Sequence, residues 1–266
     1  MKKVKDLLSS QNLMEKGSNT MTDEERLQKE IDIYNDTVGD LDDGIDCPLC
    51  KNRGYIAIAL NGYKTLKDCS CMVQRRNRDI LRKSGLAEII GKCTFSSYVA
   101  KEPWQQAIRE KAIAFVKNPF GRWFFAGGQV GCGKTHICTA ICGELMSRGA
   151  EVLYITWLKE IVKLKRDQFG DGEAYENRMY KLQNVPVLYI DDFFKSGGQP
   201  TKGDVDIAQE ILDYRAKNNK ITIISTEYNV NEIYETMNSI GSRIIEKAQG
   251  FIVNVGKTPE KDQRLK

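Results

Sequence analysis

The chain has 266 residues, of which 41% are hydrophobic and 29% charged, and its formal net charge is +4. This length allows one large domain with a smaller one, and the mild positive charge permits contact with nucleic acid without requiring it. No apolar run is long enough for a transmembrane helix, and the lysines after Met1 are not followed by the apolar core of a signal peptide. We therefore expect a cytoplasmic protein with no membrane partner.

Four cysteines form two close pairs after a polar N-terminal stretch, in which a helix is predicted near residues 22–35. Two strands are predicted between the pairs, at residues 54–60 and 63–66, and Asn61-Gly62 is typical of a two-residue hairpin turn. The hairpin brings the pairs together, and four thiolates suit tetrahedral Zn²⁺ in a closed, structural site. The predicted zinc ligands are Cys47, Cys50, Cys69 and Cys71.

The second cysteine pair leaves an alternative open. One residue separates Cys69 from Cys71, whereas the pairs of a zinc ribbon are usually separated by two. Cys93 is therefore an alternative to Cys71 as the fourth ligand. Four buried or free thiols that bind no metal are the remaining interpretation of this unit.

A helix with five basic side chains is predicted over residues 72–86. These side chains form either a solvated helix face or a strip that contacts nucleic acid or an acidic partner. They are Arg75, Arg76, Arg78, Arg82 and Lys83. The following stretch, 93–104, lacks periodicity, so we predict an N-terminal helical and zinc-binding domain at 1–92 and a nucleotide-binding domain at 93–266.

A phosphate-binding pattern, G-x-x-x-x-G-K-[ST], matches residues 128–135 between a predicted strand and a predicted helix. Glycines let the backbone approach phosphate oxygens, and the helix N-terminus favours negative charge. Lys134 is expected to reach the β- and γ-phosphates of ATP, and Thr135 to face Mg²⁺. The ATP-binding glycines are Gly128, Gly131 and Gly133.

Strands and helices alternate after residue 123, which predicts an α/β fold with a parallel sheet flanked by helices on both faces. The predicted strands are 123–126, 151–156, 185–191, 221–226 and 251–255. The third strand is apolar and ends in two carboxylates. Asp191 is expected to hold Mg²⁺, and Asp192 to act as general base on the attacking water.

Four later residues are candidates for the same site. Thr226 or Glu227, at the end of the fourth strand, is expected to contact the γ-phosphate or the attacking water. Arg243, on a late helix, is a candidate arginine finger that reaches the ATP of a neighbouring subunit, and Arg215 is a second candidate. An ordinary surface arginine is the alternative for Arg243.

Taken in order, these motifs resemble the bacterial and phage helicase loaders of the DnaC/DnaI type, which are AAA+ ATPases. The resemblance rests on the cysteine unit, the phosphate loop, the Asp191-Asp192 strand, residues 212–226 and Ser242-Arg243, and covers roughly residues 47–266. It implies a P-loop AAA+ core that binds ATP and single-stranded DNA as a homo-oligomer. It also implies a zinc-bearing N-terminal part that grips the hexameric replicative helicase.

The chain departs from the family at two places. Glu227 stands where the family often has Asn, and because a carboxylate there would repel phosphate, sensing falls to Thr226 or is weak. The forty residues after Thr226 are too few for a full AAA+ lid. Arg264 is the late candidate for a second sensor arginine, and a flexible tail residue is the alternative.

The long stretch 157–184 is rich in lysine and tyrosine, and in the family this region helps to line the DNA path. Lysines would neutralise phosphates and aromatic rings would stack on bases. Two ordinary amphipathic helices are the alternative. The residues concerned are Lys159, Lys163, Lys165, Arg166, Tyr175, Tyr180 and Lys181.

We therefore predict a loader that couples ATP hydrolysis to loading or release of a replicative helicase on DNA. An IstB-like transposition ATPase shares the core, but the cysteine unit favours the loader. A nucleotide or small-molecule kinase is disfavoured by the Asp191-Asp192 pair. A DNA-binding regulator with a weak ATP site stays open because of Glu227.

Overall fold

The computed structural model describes residues 21–84, 87–195 and 198–265. The stretch before Met21 lies outside the described residues, and it includes the residues on which the signal-peptide prediction rests. The side chains of Arg82 and Lys83 also lie outside the described residues. The chain divides into two compact units between Met72 and Val73. Within the described ranges, no helix combines the length and apolar character needed to cross a membrane.

The first unit is a helix and a hairpin. Helix α1 (Asp23–Asp36) begins at a capping box, and the antiparallel strands are β1 (Tyr55–Leu60) and β2 (Tyr63–Asp68). The side chain of Asn35 holds α1 against the hairpin, because its amide exchanges two hydrogen bonds, of 2.8 and 3.0 Å, with the backbone of Ala57. The predicted hairpin is confirmed.

Five parallel strands form the sheet of the second unit, in the order β4-β5-β6-β3-β7. The strands are β3 (Trp123–Gly128), β4 (Val152–Thr156), β5 (Val187–Asp191), β6 (Ile221–Ser225) and β7 (Ile252–Val255). The predicted α/β fold with a parallel sheet is confirmed. Strand β6 lies between β3 and β5, so the ends of these three strands meet at one edge of the sheet.

Helices cover both faces of this sheet. In chain order, the helices after β2 are α2 (Cys71–Ser84, which begins in the first unit), α3 (Ala87–Ile90), α4 (Pro103–Lys117), α5 (Lys134–Ser147), α6 (Trp157–Gly170), α7 (Gly172–Asn184), α8 (Lys202–Lys217), α9 (Val230–Thr236) and α10 (Asn238–Lys247). Two 3₁₀ turns, Pro259–Lys261 and Gln263–Leu265, follow β7. Alternate strand residues point to opposite faces. Thus Phe124 belongs to the core layer under α4 and α5, and Phe125 to the layer under α6 to α10.

Helix α2 is not a uniformly solvated basic helix. Arg75 is buried, as is Asn77 two residues later. The Asn77 amide donates to the Ala150 carbonyl at 2.7 Å and accepts from the Val152 backbone at 2.9 Å, next to the start of β4. These bonds fix α2 against the sheet of the second unit. The prediction of a five-membered basic strip is therefore wrong for Arg75.

Candidate functional site

The phosphate loop, residues 128–135, joins β3 to α5. Gly128 and Gly131 have φ of +105° and +72°, in the left-handed region that favours glycine. A Cβ at Gly128 would overlap the Val255 carbonyl, and one at Gly131 would overlap the Asp262 carboxylate. Gly133, with φ of +93°, caps the N-terminus of α5. All three predicted glycines are thus required by the shape of the loop.

Lys134 and Thr135 open helix α5 and point toward the strand ends. The ammonium of Lys134 donates to the carbonyls of Gly128 and Gln129 at 2.8 and 2.6 Å, so it lies inside the curve of the loop. The Thr135 hydroxyl is 3.3 Å from Oδ1 of Asp191. A hydroxyl and a carboxylate at this separation are the oxygen ligands that Mg²⁺ takes in P-loop sites, so the residues fit a magnesium–nucleotide complex.

Asp191, the last residue of β5, is buried among hydroxyl groups. Tyr189 donates to its Oδ1 at 2.8 Å and Tyr154 to its Oδ2 at 3.0 Å, and Ser225 also donates to Oδ1. Burial raises the pKa of both tyrosines, and the charge of Asp191 adds to the shift, which keeps them protonated as donors. These hydroxyls orient the carboxylate, and the sequence analysis did not identify them. The position of Tyr189, two residues before Asp191 in β5, was the available signal.

One pocket is lined by most of the predicted nucleotide residues, though not by Gly128 or Asp191, together with Lys195, Glu227 and Arg264. Its lining comprises Val130, Gly131, Gly133, Lys134, Thr135, His136, Asp192, Lys195, Glu227 and Arg264. Asp192 follows β5 with φ of +52°, which turns the chain sharply after the strand. The predicted base and the predicted phosphate ligands therefore face the same space.

Lys195 is a pocket residue that the sequence analysis missed. Its ammonium is 2.9 Å from Oε1 of Glu227 and 3.4 Å from Oδ2 of Asp192. The hydrogen bond to Glu227, together with the nearby Asp192, raises the pKa of Lys195. The repulsion expected between Glu227 and a phosphate is thus countered by a cation in the loop after β5.

Thr226 does not face the pocket. It is buried, and its hydroxyl donates to the Phe193 carbonyl at 2.7 Å. That bond occupies the only hydrogen that the hydroxyl could offer to a phosphate. The predicted sensing role for Thr226 is therefore not supported, and Glu227 is the residue at the end of β6 that lines the pocket.

The C-terminal turn Gln263–Leu265 lies on the phosphate loop. The Gln263 backbone donates to the Gly131 carbonyl at 3.0 Å, and the Asp262 carboxylate lies against Gly131. The same carboxylate accepts from the Arg264 backbone at 3.0 Å. These contacts place Arg264 at the pocket rather than in a flexible tail, so it adds positive charge where a triphosphate would bind.

Arg243, the predicted arginine finger, does not line this pocket. It lies on α10, where its guanidinium is 3.2 Å from Oδ1 of Asp213 and 2.9 Å from Oε2 of Glu246. Its side chain is partly exposed. A role on the nucleotide of another subunit stays a prediction.

Arg215, the second finger candidate, is fully buried, and the finger assignment is wrong for it. Its guanidinium donates to five acceptors at the end of α7 and the start of β6. They are the carbonyls of Leu182, Gln183, Val185 and Ile221 and the hydroxyl of Thr222. Burial lowers the pKa of Arg215 to about 9, so the group stays charged at neutral pH and stabilises the negative end of α7.

Replacing Arg215 is expected to destabilise the second unit. Arg215→Met keeps a long apolar stem but leaves several buried carbonyls without a donor, which costs about 3 kcal/mol or more of unfolding free energy. Urea denaturation measures the loss. Lys217→Met, an exposed change on the same helix, is the control and should stay within about 0.5 kcal/mol of the parent protein. A loss from Arg215→Met as small as that of the control would contradict the assignment.

The four cysteines of the first unit form one buried cluster, and all four sulfurs lie within 4.8 Å of one another. The Sγ atoms of Cys47 and Cys69 are 3.8 Å apart, and those of Cys50 and Cys71 are 3.5 Å apart. Tetrahedral Zn²⁺ with Zn–S bonds of about 2.3 Å places neighbouring sulfurs about 3.8 Å apart. The cluster therefore fits a zinc site.

The fourth member of the cluster is Cys71 and not Cys93. The backbone holds the ligands in place, because the Cys47 amide donates to Asn52 at 2.9 Å and the Cys69 amide donates to Gly54 at 2.8 Å. Burial raises the pKa of Cys50, but hydrogen bonds from the Gly54 backbone and the neighbouring thiols outweigh it and bring the pKa to about 7, whereas burial raises the pKa of Cys69. A lowered pKa favours the thiolate that zinc requires.

No protein-family model matches the chain. The chain is 30% identical over 234 residues to the phage-like element PBSX protein XkdC of Bacillus subtilis (strain 168), covering 83% of this chain and 86% of XkdC. It is 29% identical over 188 residues to the replicative helicase loader DnaC of Escherichia coli (strain K12), covering 67% of this chain and 74% of DnaC. A crystal structure of the DnaC helicase loader is similar with a TM-score of 0.52 and 22% identity, over 65% of this chain and 100% of that one. The last likeness concerns the fold alone.

Proposed function

The chain belongs to the family of DnaC-type replicative helicase loaders, and from this premise we propose that it loads a ring-shaped helicase onto DNA in an ATP-dependent reaction. The arrangement of Lys134, Thr135 and Asp191 supports the proposed dependence on ATP. The Thr135 hydroxyl is 3.3 Å from the Asp191 carboxylate, and the neighbouring Lys134 ammonium lies on the carbonyls of the phosphate loop, where β3, β5 and β6 end. Chance glycine-rich turns do not bring these three groups together.

In the proposed hydrolysis, each residue has a separate task. The amides of the phosphate loop and the Lys134 ammonium bind the β- and γ-phosphates. Thr135 and Asp191 would hold Mg²⁺, which would neutralise phosphate charge. Asp192 accepts a proton from the water that attacks the γ-phosphate. Arg243 comes from a neighbouring subunit, so the proposal includes an ATP-dependent homo-oligomer. Positioning and charge neutralisation supply the catalysis.

We assign contact with the helicase to the N-terminal region, residues 1–92. The hairpin of the first unit supports this assignment, because Leu60, Tyr63 and Leu66 are exposed although they are large and apolar. A small unit that keeps such side chains in solvent is suited to bind another protein. Zinc bound by the cysteine cluster would hold the hairpin in shape.

We assign contact with single-stranded DNA to α6 and α7, the helices predicted for residues 157–184. Phe169 is 88% exposed and Tyr180 is 66% exposed, so both rings are available to stack on bases. Several basic side chains here have acidic partners, with Lys165 held by Asp204 at 2.6 Å. Lys159 and Lys181 are exposed basic residues on the same helices that would contact phosphates.

The experiment that tests the proposal mixes the full chain with the hexameric replicative helicase of its host. We expect a complex on size-exclusion chromatography, and ATP-dependent transfer of the helicase onto circular single-stranded DNA. Tyr63→Ala combined with Leu66→Ala should weaken the complex at least about tenfold. The matched control is Lys64→Ala, an exposed change on the same hairpin.

Two results would contradict this function. The chain would not be a loader if it bound no helicase, or if the helicase loaded equally well without it. Capture of a transposase in place of the helicase would favour the IstB-like alternative. A chain that binds DNA and loads nothing would favour the DNA-binding regulator.

A further inference from the structure

Lys195 joins the ends of two neighbouring strands through their carboxylates. It pairs with Asp192, which follows β5, and with Glu227, which follows β6. The three side chains are 48%, 37% and 38% exposed, respectively. Ion pairs this exposed to solvent are weak and exchange partners readily. The pairing of Lys195 is therefore open to competition from a ligand that carries more charge.

A triphosphate bound in the pocket is such a competing ligand for Lys195. Lys134 and Thr135, which take the β- and γ-phosphates in phosphate loops, line the same pocket as Lys195. A γ-phosphate held by them lies toward the ends of β5 and β6, where it meets Asp192 and Glu227. Both carboxylates repel it. A diphosphate ends one phosphate earlier and leaves the two carboxylates paired with Lys195.

We propose that Lys195 detects the γ-phosphate by changing partners. With a diphosphate its ammonium stays on Glu227 and Asp192, and with a triphosphate it moves onto a γ-phosphate oxygen. This inference deepens the proposed ATP-dependent function and rests on it. Glu227 is then a positioning residue, because it sets how firmly Lys195 is held before the triphosphate arrives.

The exchange also connects detection to hydrolysis. When Lys195 leaves Asp192, the carboxylate loses its cation and keeps its oxygens for the attacking water. Asp192 is thus paired in the diphosphate state and released in the triphosphate state. No bond is made or broken in this step, since the ammonium keeps its three protons throughout.

A simpler role for Lys195 is to neutralise Glu227 without touching the nucleotide. Both roles predict that Lys195→Met weakens triphosphate binding, because the change leaves Glu227 unpaired. They differ once neither carboxylate is charged. Because Asp192 also pairs with Lys195, the background must carry Asp192→Asn as well as Glu227→Gln. In that background a neutralising Lys195 has no carboxylate left to neutralise, whereas a Lys195 that contacts the γ-phosphate still contributes. The informative comparison is therefore the Asp192→Asn, Glu227→Gln variant with and without Lys195→Met.

The test measures binding of Mg-ADP and of Mg-AMPPNP, a non-hydrolysable triphosphate, to the full chain by calorimetry. In the Asp192→Asn, Glu227→Gln background, we expect Lys195→Met to weaken AMPPNP binding about tenfold or more, because a charge-assisted hydrogen bond is lost. ADP affinity should stay within about twofold, which also shows that the variant is folded. Glu227→Gln alone should tighten AMPPNP, and Lys195→Arg should keep the preference for it.

Each other result has one meaning. An equal response of ADP and AMPPNP to Lys195→Met, or no loss of AMPPNP affinity in the Asp192→Asn, Glu227→Gln background, overturns the role of Lys195 alone. The proposed function fails separately if Lys134→Ala binds both nucleotides as tightly as the parent protein. If the parent protein binds neither nucleotide, the proposed function and this inference fall together.

Discussion

Removing zinc is expected to unfold the first unit while the second unit stays folded. Among the described residues before Val73, the buried apolar side chains are the four cysteines of the cluster together with Ile31 and Ala57. Burial of these two apolar side chains cannot offset the conformational entropy that about fifty residues lose on folding. The favourable free energy of folding must therefore come from another source. Structural zinc in small domains supplies about 10–16 kcal/mol of folding free energy. We therefore expect zinc bound by the cluster to supply most of the stability of this unit.

The measurement is limited proteolysis of the full chain before and after treatment with a chelator, combined with metal analysis. Chelation should open the region around the cysteine cluster to cleavage and leave a resistant fragment that begins near Val73 and still binds ADP. Cys50→Ser should have the same effect without a chelator. Cys93→Ser is the control, because Cys93 lies outside the cluster. Protein that contains no zinc, or equal effects of the two serine variants, would contradict the site.

The local sequence pattern predicts the sheet well because its three central strands, β3, β5 and β6, are buried and almost continuously apolar. The differences between predicted and observed strands lie at the strand ends. The third strand was predicted from Val185, but β5 begins at Val187, because Val185 caps the C-terminus of α7 and donates to the Lys181 carbonyl. Pro186 then separates helix from strand. A strand boundary of this kind depends on a helix end that apolar periodicity does not report.

The phosphate loop and Asp191 could be predicted because each is a continuous motif with a fixed spacing to its own strand or helix. No sequence motif indicates Lys195, and for Arg264 the sequence leaves a sensor arginine and a flexible tail residue as alternatives, because both residues reach the pocket through the tertiary fold. Arg264 in particular depends on a tail that returns to Gly131 from the other end of the domain. No local pattern distinguishes such a tail from a mobile one.

Arg215 shows the opposite error, in which a sequence pattern predicted function for a structural residue. Its partners are mostly backbone carbonyls, and these are present in every residue, so no sequence signature marks them. A buried arginine that caps a helix end and an exposed catalytic arginine look alike in a sequence. The distinction needs the burial of the guanidinium, which only the fold supplies.

Loss of either Lys134 or Arg243 is expected to stop ATP hydrolysis. The two losses have different causes, which an experiment that mixes the two variant proteins distinguishes. Lys134→Ala removes the ammonium from the phosphate loop and should lower the rate about 100-fold or more. Arg243→Ala should lower the rate by about 1,000-fold or more, as for arginine fingers supplied by a neighbour. Lys217→Ala, an exposed change, is the control and should hydrolyse ATP at the parent rate.

The two inactive variants should restore activity when they are mixed. In a mixed ring, an Arg243→Ala subunit has an intact loop and can receive Arg243 from a Lys134→Ala neighbour. With random mixing in equal amounts, half of the loops are intact and half of those face an intact arginine. We therefore expect about a quarter of the parent rate, at protein concentrations where the oligomer forms.

The mixing result decides where Arg243 acts. In the structure its guanidinium is paired with Asp213 and Glu246 of its own chain, so a purely structural role would also make Arg243→Ala inactive. A structural defect stays with the subunit that carries it, and mixing would then recover nothing. Asp213→Asn separates the two roles further, because it breaks the pair and leaves the arginine. If hydrolysis survives Asp213→Asn and recovers on mixing, Arg243 acts on the nucleotide of its neighbour, and the ATPase site is shared between two subunits.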